Sequence, residues 1–176
     1  MSGDISTTED SKKQVSSKIS QWIQDEGFPL LPEEDPYTDF AFKINYSENE
    51  TAYVIMRKDR KDSITVYTRS DFSPLDQKAF SNLSSSKRRE FIDAVSASLF
   101  NLNLHFRFHP NPEQLQSLEI KKDIFFDGLS KDRLFEVIDR VLSGMQLAYM
   151  AYFKYFQIQI ILILHYVVYS YRLSAT

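Results

Sequence analysis

The stretch SLEIKKDIFFDGLSKDRLFEVIDRVL, Ser117–Leu142, passes from one periodicity to another across a turn, and its reading decides the fold. SLEIKKDIFF reads as a strand whose lysines, Lys121 and Lys122, resemble those of a sheet edge, where ammonium groups discourage pairing with strangers. Asp127 and Gly128 form a turn. Ser130 then stands where a hydroxyl caps free helix amides, with Leu129 placed to staple onto Leu134 across that cap. From there Leu134, Val137, Ile138, Val141, Leu142, Met145, Tyr149 and Tyr152 recur on one apolar helical face.

Upstream of this junction, NLNLHFRFHP alternates, with Leu102, Leu104, Phe106 and Phe108 on one face and Asn103, His105, Arg107 and His109 on the other, until Pro110 stops it. Before that strand, Phe91, Ile92, Val95 and Leu99 mark an amphipathic helix, and Ser73–Pro74 starts a shorter one. DFAFKINY, TAYVIMRK and SITVYTR predict three strands joined by polar turns, an antiparallel meander. Val15, Ile19, Trp22 and Ile23 predict a first helix closed by Gly27. FPLLPEEDPYTD, with three prolines and an acidic cluster, is expected to be an irregular loop. The chain order is therefore helix, three strands, helical segment, two strands, helix: an α+β domain with helices packed on an antiparallel sheet.

Size and composition agree. The chain has 176 residues, a net charge of -3 and hydrophobic residues at 43%, so one domain can bury its own core. The mild acidity supplies no global field for a polyanion, and no nucleic-acid partner is expected. Cysteine is absent, which removes disulfides and thiolate chemistry and fits a cytoplasmic location. The polar start, residues 1–10, reads as a flexible leader, residues 11–153 as the α+β domain, and residues 154–176 as an apolar tail.

Element order and the junction at Ser117–Leu142 resemble the type III secretion chaperone-like fold, including prokaryotic families of unknown function that share it. The resemblance spans roughly residues 11 to 153. It implies a small acidic dimer that holds other proteins and performs no chemistry. The apolar tail departs from that pattern.

The search for chemistry leads to the same expectation. The four glycines fall in the leader, a cap, a turn and a helix, leaving none to cradle a phosphate, so no cofactor is expected. His105 and His109 flank Arg107 on one strand face, a weak anion or partner face. A strand holds positions four apart at roughly 13 Å, too far for one metal ion. The run Lys87–Glu90 reads as a solvated helix face, although its bases oppose the helix dipole. With three histidines no serine, histidine and carboxylate constellation assembles, and the expectation is a protein that is not an enzyme. A small-ligand-binding or enzymatic domain is the alternative.

The tail carries the remaining question. From Leu147 to Tyr171 Lys154 is the sole charge, long enough as a helix to cross a hydrocarbon layer of ~30 Å. Its apolar residues, Phe156, Ile158, Ile160, Ile161, Leu162, Ile163, Leu164, Val167 and Val168, are candidates for membrane or interface contact. Gln157, Gln159 and His165 interrupt it, each needing a partner in lipid. Three readings stand: a membrane anchor on the cytoplasmic side, a segment packed in a homodimer interface, or an extension never tuned to the fold.

Overall fold

The computed structural model describes residues 9–47, 50–60 and 62–156. The chain runs α1 (Glu9–Asp25), β1 (Leu30–Pro32), β2 (Thr38–Asn45), β3 (Thr51–Arg57), β4 (Ser63–Asp71), α2 (Pro74–Ser81), α3 (Ser85–Asn101), β5 (His105–His109), β6 (Ser117–Phe125), a short 3-10 turn (Phe126–Gly128) and α4 (Lys131–Phe156). This is the α+β architecture expected: a six-stranded sheet, antiparallel throughout, ordered β1-β2-β3-β4-β6-β5.

Local chemistry starts and stops the helices where the residue types call for it. Ser73 and Asp76 form a reciprocal capping box on α2, with Pro74 in the first turn. The Ser84 hydroxyl accepts from the Lys87 amide at the head of α3, and that of Ser130 from the Arg133 amide at the head of α4. Gly27, at φ 78°, ends α1 in the left-handed conformation that costs glycine nothing.

The helices pack on one side of the sheet. Ile19 and Ile23 of α1, Phe91, Val95 and Leu99 of α3, and Leu134, Val137, Ile138, Val141 and Met145 of α4 are buried in one cluster with Ile44, Val54, Met56, Val66, Leu118 and Ile120 from the strands. Gly144 lets α4 approach closely, since a Cβ there would sit 2.7 Å from Leu104 Cδ1 and 3.0 Å from Leu99 Cδ2.

Four expectations need correction. The alternating run read as a strand from Asn101 becomes one only at His105: α3 runs on through Asn101, Leu102 caps it, and Asn103, at φ 53°, takes the left-handed turn that asparagine tolerates and a strand does not contain. Leu30–Pro32 is a strand, not loop, pairing Leu30 with Ile44 and Pro32 with Phe42. Proline is tolerated because β1 lies at the sheet edge, where a missing donor breaks no inner ladder. β6, read as edge-like, is an inner strand paired along its length with β4 and with β5. Its two lysines point to opposite faces: Lys121 lies by Glu119 at 3.5 Å, and Lys122 Nζ donates to the Asn103 carbonyl at 2.7 Å. Tyr149 leaves the buried face of α4 and is 39% exposed, its hydroxyl hydrogen-bonded to Ser70 at 2.7 Å.

Helix α4 continues to Phe156, whose ring stacks on Tyr152 at 4.2 Å and meets Phe80 and Phe91. Of the tail candidates only Phe156 is described, and it packs within the chain; Ile158, Ile160, Ile161, Leu162, Ile163, Leu164, Val167 and Val168 lie outside the described residues. Among the described residues no helix is long and apolar enough to cross a membrane.

Candidate functional site

Strand parity sends every second side chain away from the helices, and no described helix covers that outer face. The register assembles it row by row: Lys43 with Tyr53, Tyr53 with Tyr67, Tyr67 with Lys121, and Lys121 with His105. The next rows bring Ile55 to Thr65 and Thr65 to Asp123 on one side, and Arg69 to Glu119 and Glu119 to Arg107 on the other.

A shallow depression of about 260 Å³ lies at its centre, bordered by Ile55, Arg57, Arg60, Tyr67, Arg69 and Lys121 among others. Its charges hold one another. Arg57 forks onto Asp59 with two bonds of 2.9 Å, Arg69 pairs with Asp71 at 3.0 Å, and Asp123 accepts from Arg60 and from the Thr65 hydroxyl, each at 2.6 Å. Tyr53 and Tyr67 stack across the strands at 4.8 Å. Burial, then Tyr53 and the carboxylates of Glu33, Glu119 and Asp35, push the Tyr67 phenol up to about 12, so it remains a hydrogen-bond donor at neutral pH. The face offers stacked rings, one aliphatic side chain and a lattice of guanidinium donors already oriented by partners.

Strand β5 closes one side of this face. His105 and Arg107 are exposed there, while Phe106 is half-buried and Phe108 buried on the helix side. Glu119 is shared: it lies 3.8 Å from His109 and 3.5 Å from Lys121 and stands in register between Arg69 and Arg107. One carboxylate therefore faces several bases, and among the described residues Arg107 makes no ion pair within 4 Å. The three residues read from the sequence as a weak anion or partner face do share one strand, and the structure extends them into a platform across β2, β3, β4 and β6.

The platform's bases, Arg57, Arg60 and Arg69, escaped sequence reading because they lie at the end of β3, in the turn after it and within β4, positions that carry no common motif. The basic run at Lys87–Glu90 has a structural task instead. Arg88 Nη1 donates to the Ser81 and Leu83 carbonyls at 3.0 and 2.9 Å, satisfying the free end of α2. The acidic loop is likewise structural in part, with Asp35 Oδ1 accepting from the Tyr37 amide at 2.8 Å. Among the described residues no group of three or more histidines and carboxylates is placed to hold a metal ion. A second cavity, about 330 Å³, lies between α4 and the ends of β3 and β4, bordered by Thr51, Thr68, Leu142, Met145, Gln146 and Tyr149 among others.

A family model described as "Uncharacterized conserved protein (DUF2299)" matches residues 15–151. An uncharacterized protein from Methanothermobacter thermautotrophicus, solved by crystallography, is 31% identical, with a TM-score of 0.72 over 80% of this chain and 98% of that one. YbjN from E. coli, proposed as a transcription regulator, aligns at 12% identity and a TM-score of 0.47 over 76% of this chain and 90% of its own. No curated protein matches the chain.

Proposed function

We propose, from the premise that the chain belongs to the DUF2299 family of uncharacterized conserved proteins, that it is a non-catalytic, chaperone-like module holding acidic, unfolded protein segments on the outer face of its sheet. The observation that carries this reading is the uncovered face itself: stacked tyrosines flanked by oriented guanidinium groups, on a chain that is acidic as a whole. Aromatic rings and arginines are the side chains that contribute most where proteins meet. Their ion pairs with Asp59, Asp71 and Asp123 keep the bases rigid, so little side-chain freedom is lost when a client carboxylate arrives. The resemblance of residues 11–153 to chaperone-like folds points the same way.

Self-association belongs to this reading. The second half of α4 exposes Leu147, Met150 and Phe153 along one side, a stripe that a second copy would cover.

Binding of reduced, carboxymethylated α-lactalbumin, an unfolded acidic chain, measured by fluorescence anisotropy, tests the proposal. The full chain should bind it in the micromolar range, and the double substitution Arg57→Ser with Arg69→Ser should weaken binding about tenfold. Both side chains are about half exposed, so folding should be unaffected. Equal binding by the double variant, or tighter binding of single-stranded nucleic acid than of the protein client, would rule the proposal out.

A further inference from the structure

Strand β5 is the outermost strand on its side of the sheet, so one row of its backbone groups has no strand partner among the described residues. The shorter β1 holds the opposite edge and ends on Pro32, a residue that blunts edges. The two edges are unlike in chemistry as well. Along β5, parity sorts the side chains into a polar margin on the outer face, the Arg107 guanidinium beside the His105 imidazole, and an aromatic margin on the helix face. There Phe106 meets Phe100 at 5.2 Å, and Phe100, at the end of α3, is 69% exposed.

We infer that the β5 edge accepts an added strand from a protein partner whose residues alternate acidic and apolar. The inference rests on the holding function proposed above and names the segment that the module would grip. An incoming strand places successive side chains on opposite faces, so a period-two segment would set its carboxylates beside Arg107 and His105 and its apolar groups on the shelf of Phe100 and Phe106. Main-chain hydrogen bonds supply affinity, and the two margins supply register, since a slip by one residue would put every carboxylate on the aromatic shelf. Charge decides against a second copy as occupant. Two β5 strands paired about Arg107 would bring the guanidinium groups face to face, a cross-strand repulsion that an acidic partner turns into attraction.

A labelled peptide of alternating glutamate and valine, titrated against the full chain, is the probe. Binding should weaken about tenfold in Arg107→Glu, and a lysine and valine peptide should prefer that variant over the wild type. Phe100→Ser, at an exposed position, should also weaken binding, and a glutamate and valine peptide N-methylated at every residue should not bind, because the bridging amides of both its edges are gone. Unchanged affinity in Arg107→Glu, or binding by the N-methylated peptide, overturns the inference. Loss of self-association in Phe100→Ser would place a second copy on the edge and overturns it too. If the peptide fails while carboxymethylated α-lactalbumin still binds and responds to Arg57→Ser with Arg69→Ser, the edge assignment falls and the holding function stands.

Discussion

Gly144 shows how much a single side chain decides here. A glycine inside a helix ordinarily costs about 1 kcal/mol relative to alanine, so Gly144→Ala would be expected to stabilise the chain if propensity ruled. Instead the added methyl would meet Leu104 at 2.7 Å, Leu99 at 3.0 Å and Ile120 at 3.6 Å. The leucine methyls are flexible ends and yield part of the way, but overpacking a closed core costs roughly 1–3 kcal/mol. Gly144→Ala should therefore be less stable by about 1 kcal/mol, and Gly144→Val by more, in urea unfolding followed by circular dichroism; a variant more stable than wild type would refute the contact. Tyr149 makes the same point differently. Its hydroxyl is hydrogen-bonded to that of Ser70, 79 positions away in the chain. No window of sequence around Tyr149 contains that partner.

Elements were legible wherever their signal is local. The capping residues Ser73 and Ser130, the Gly27 stop and, Tyr149 apart, the apolar spacing of α1, α3 and α4 fall where the structure has them. The prolines between Phe28 and Asp39 misled because a proline forbids an inner strand and not an edge one. How α2 is tied to α4 was not legible: the Tyr152 hydroxyl donates to Asp76, the residue that also closes the capping box on Ser73. Burial acts to raise the Asp76 carboxyl, but hydrogen bonds from Tyr152, the Ser73 hydroxyl and the Ser73 amide outweigh it and hold it below the usual carboxylate range. A carboxylate with a depressed folded pKa contributes stability above its unfolded value, about 3.9, and loses that contribution as pH falls through the folded value. Asp76→Asn should thus cost about 1 kcal/mol at pH 7, with the gap between variant and wild type narrowing below about pH 4. Urea titrations at pH 7 and pH 3 check this, and a gap that stays constant would show that charge plays no part.

Across the whole molecule, stability should follow the sheet order. β4 and β6 pair along nine residues, from Ser63 with Phe125 to Asp71 with Ser117, and both are inner strands. β1 contributes three residues at an edge. Native-state hydrogen exchange should find the slowest amides on β4 and β6, exchanging only through global unfolding, and much faster amides on β1. Comparable protection of β1 and β6 would contradict the topology. The same order explains what remained hidden. Asp71 and Ser117 are joined through α2, α3 and β5, so the partnership that makes β6 an inner strand is set by hydrogen bonds between distant segments. By itself the sequence determined the helices and the longer strands and which side of each is apolar, though not the three-residue edge strand β1, because periodicity, caps and turns act within a few residues. Only the tertiary structure decided the neighbour of each strand, the face left uncovered and the gathering of Arg57, Arg69 and Arg107 on that face, because those depend on long-range pairing that packs the apolar sides together and leaves the remaining rows to meet at the surface.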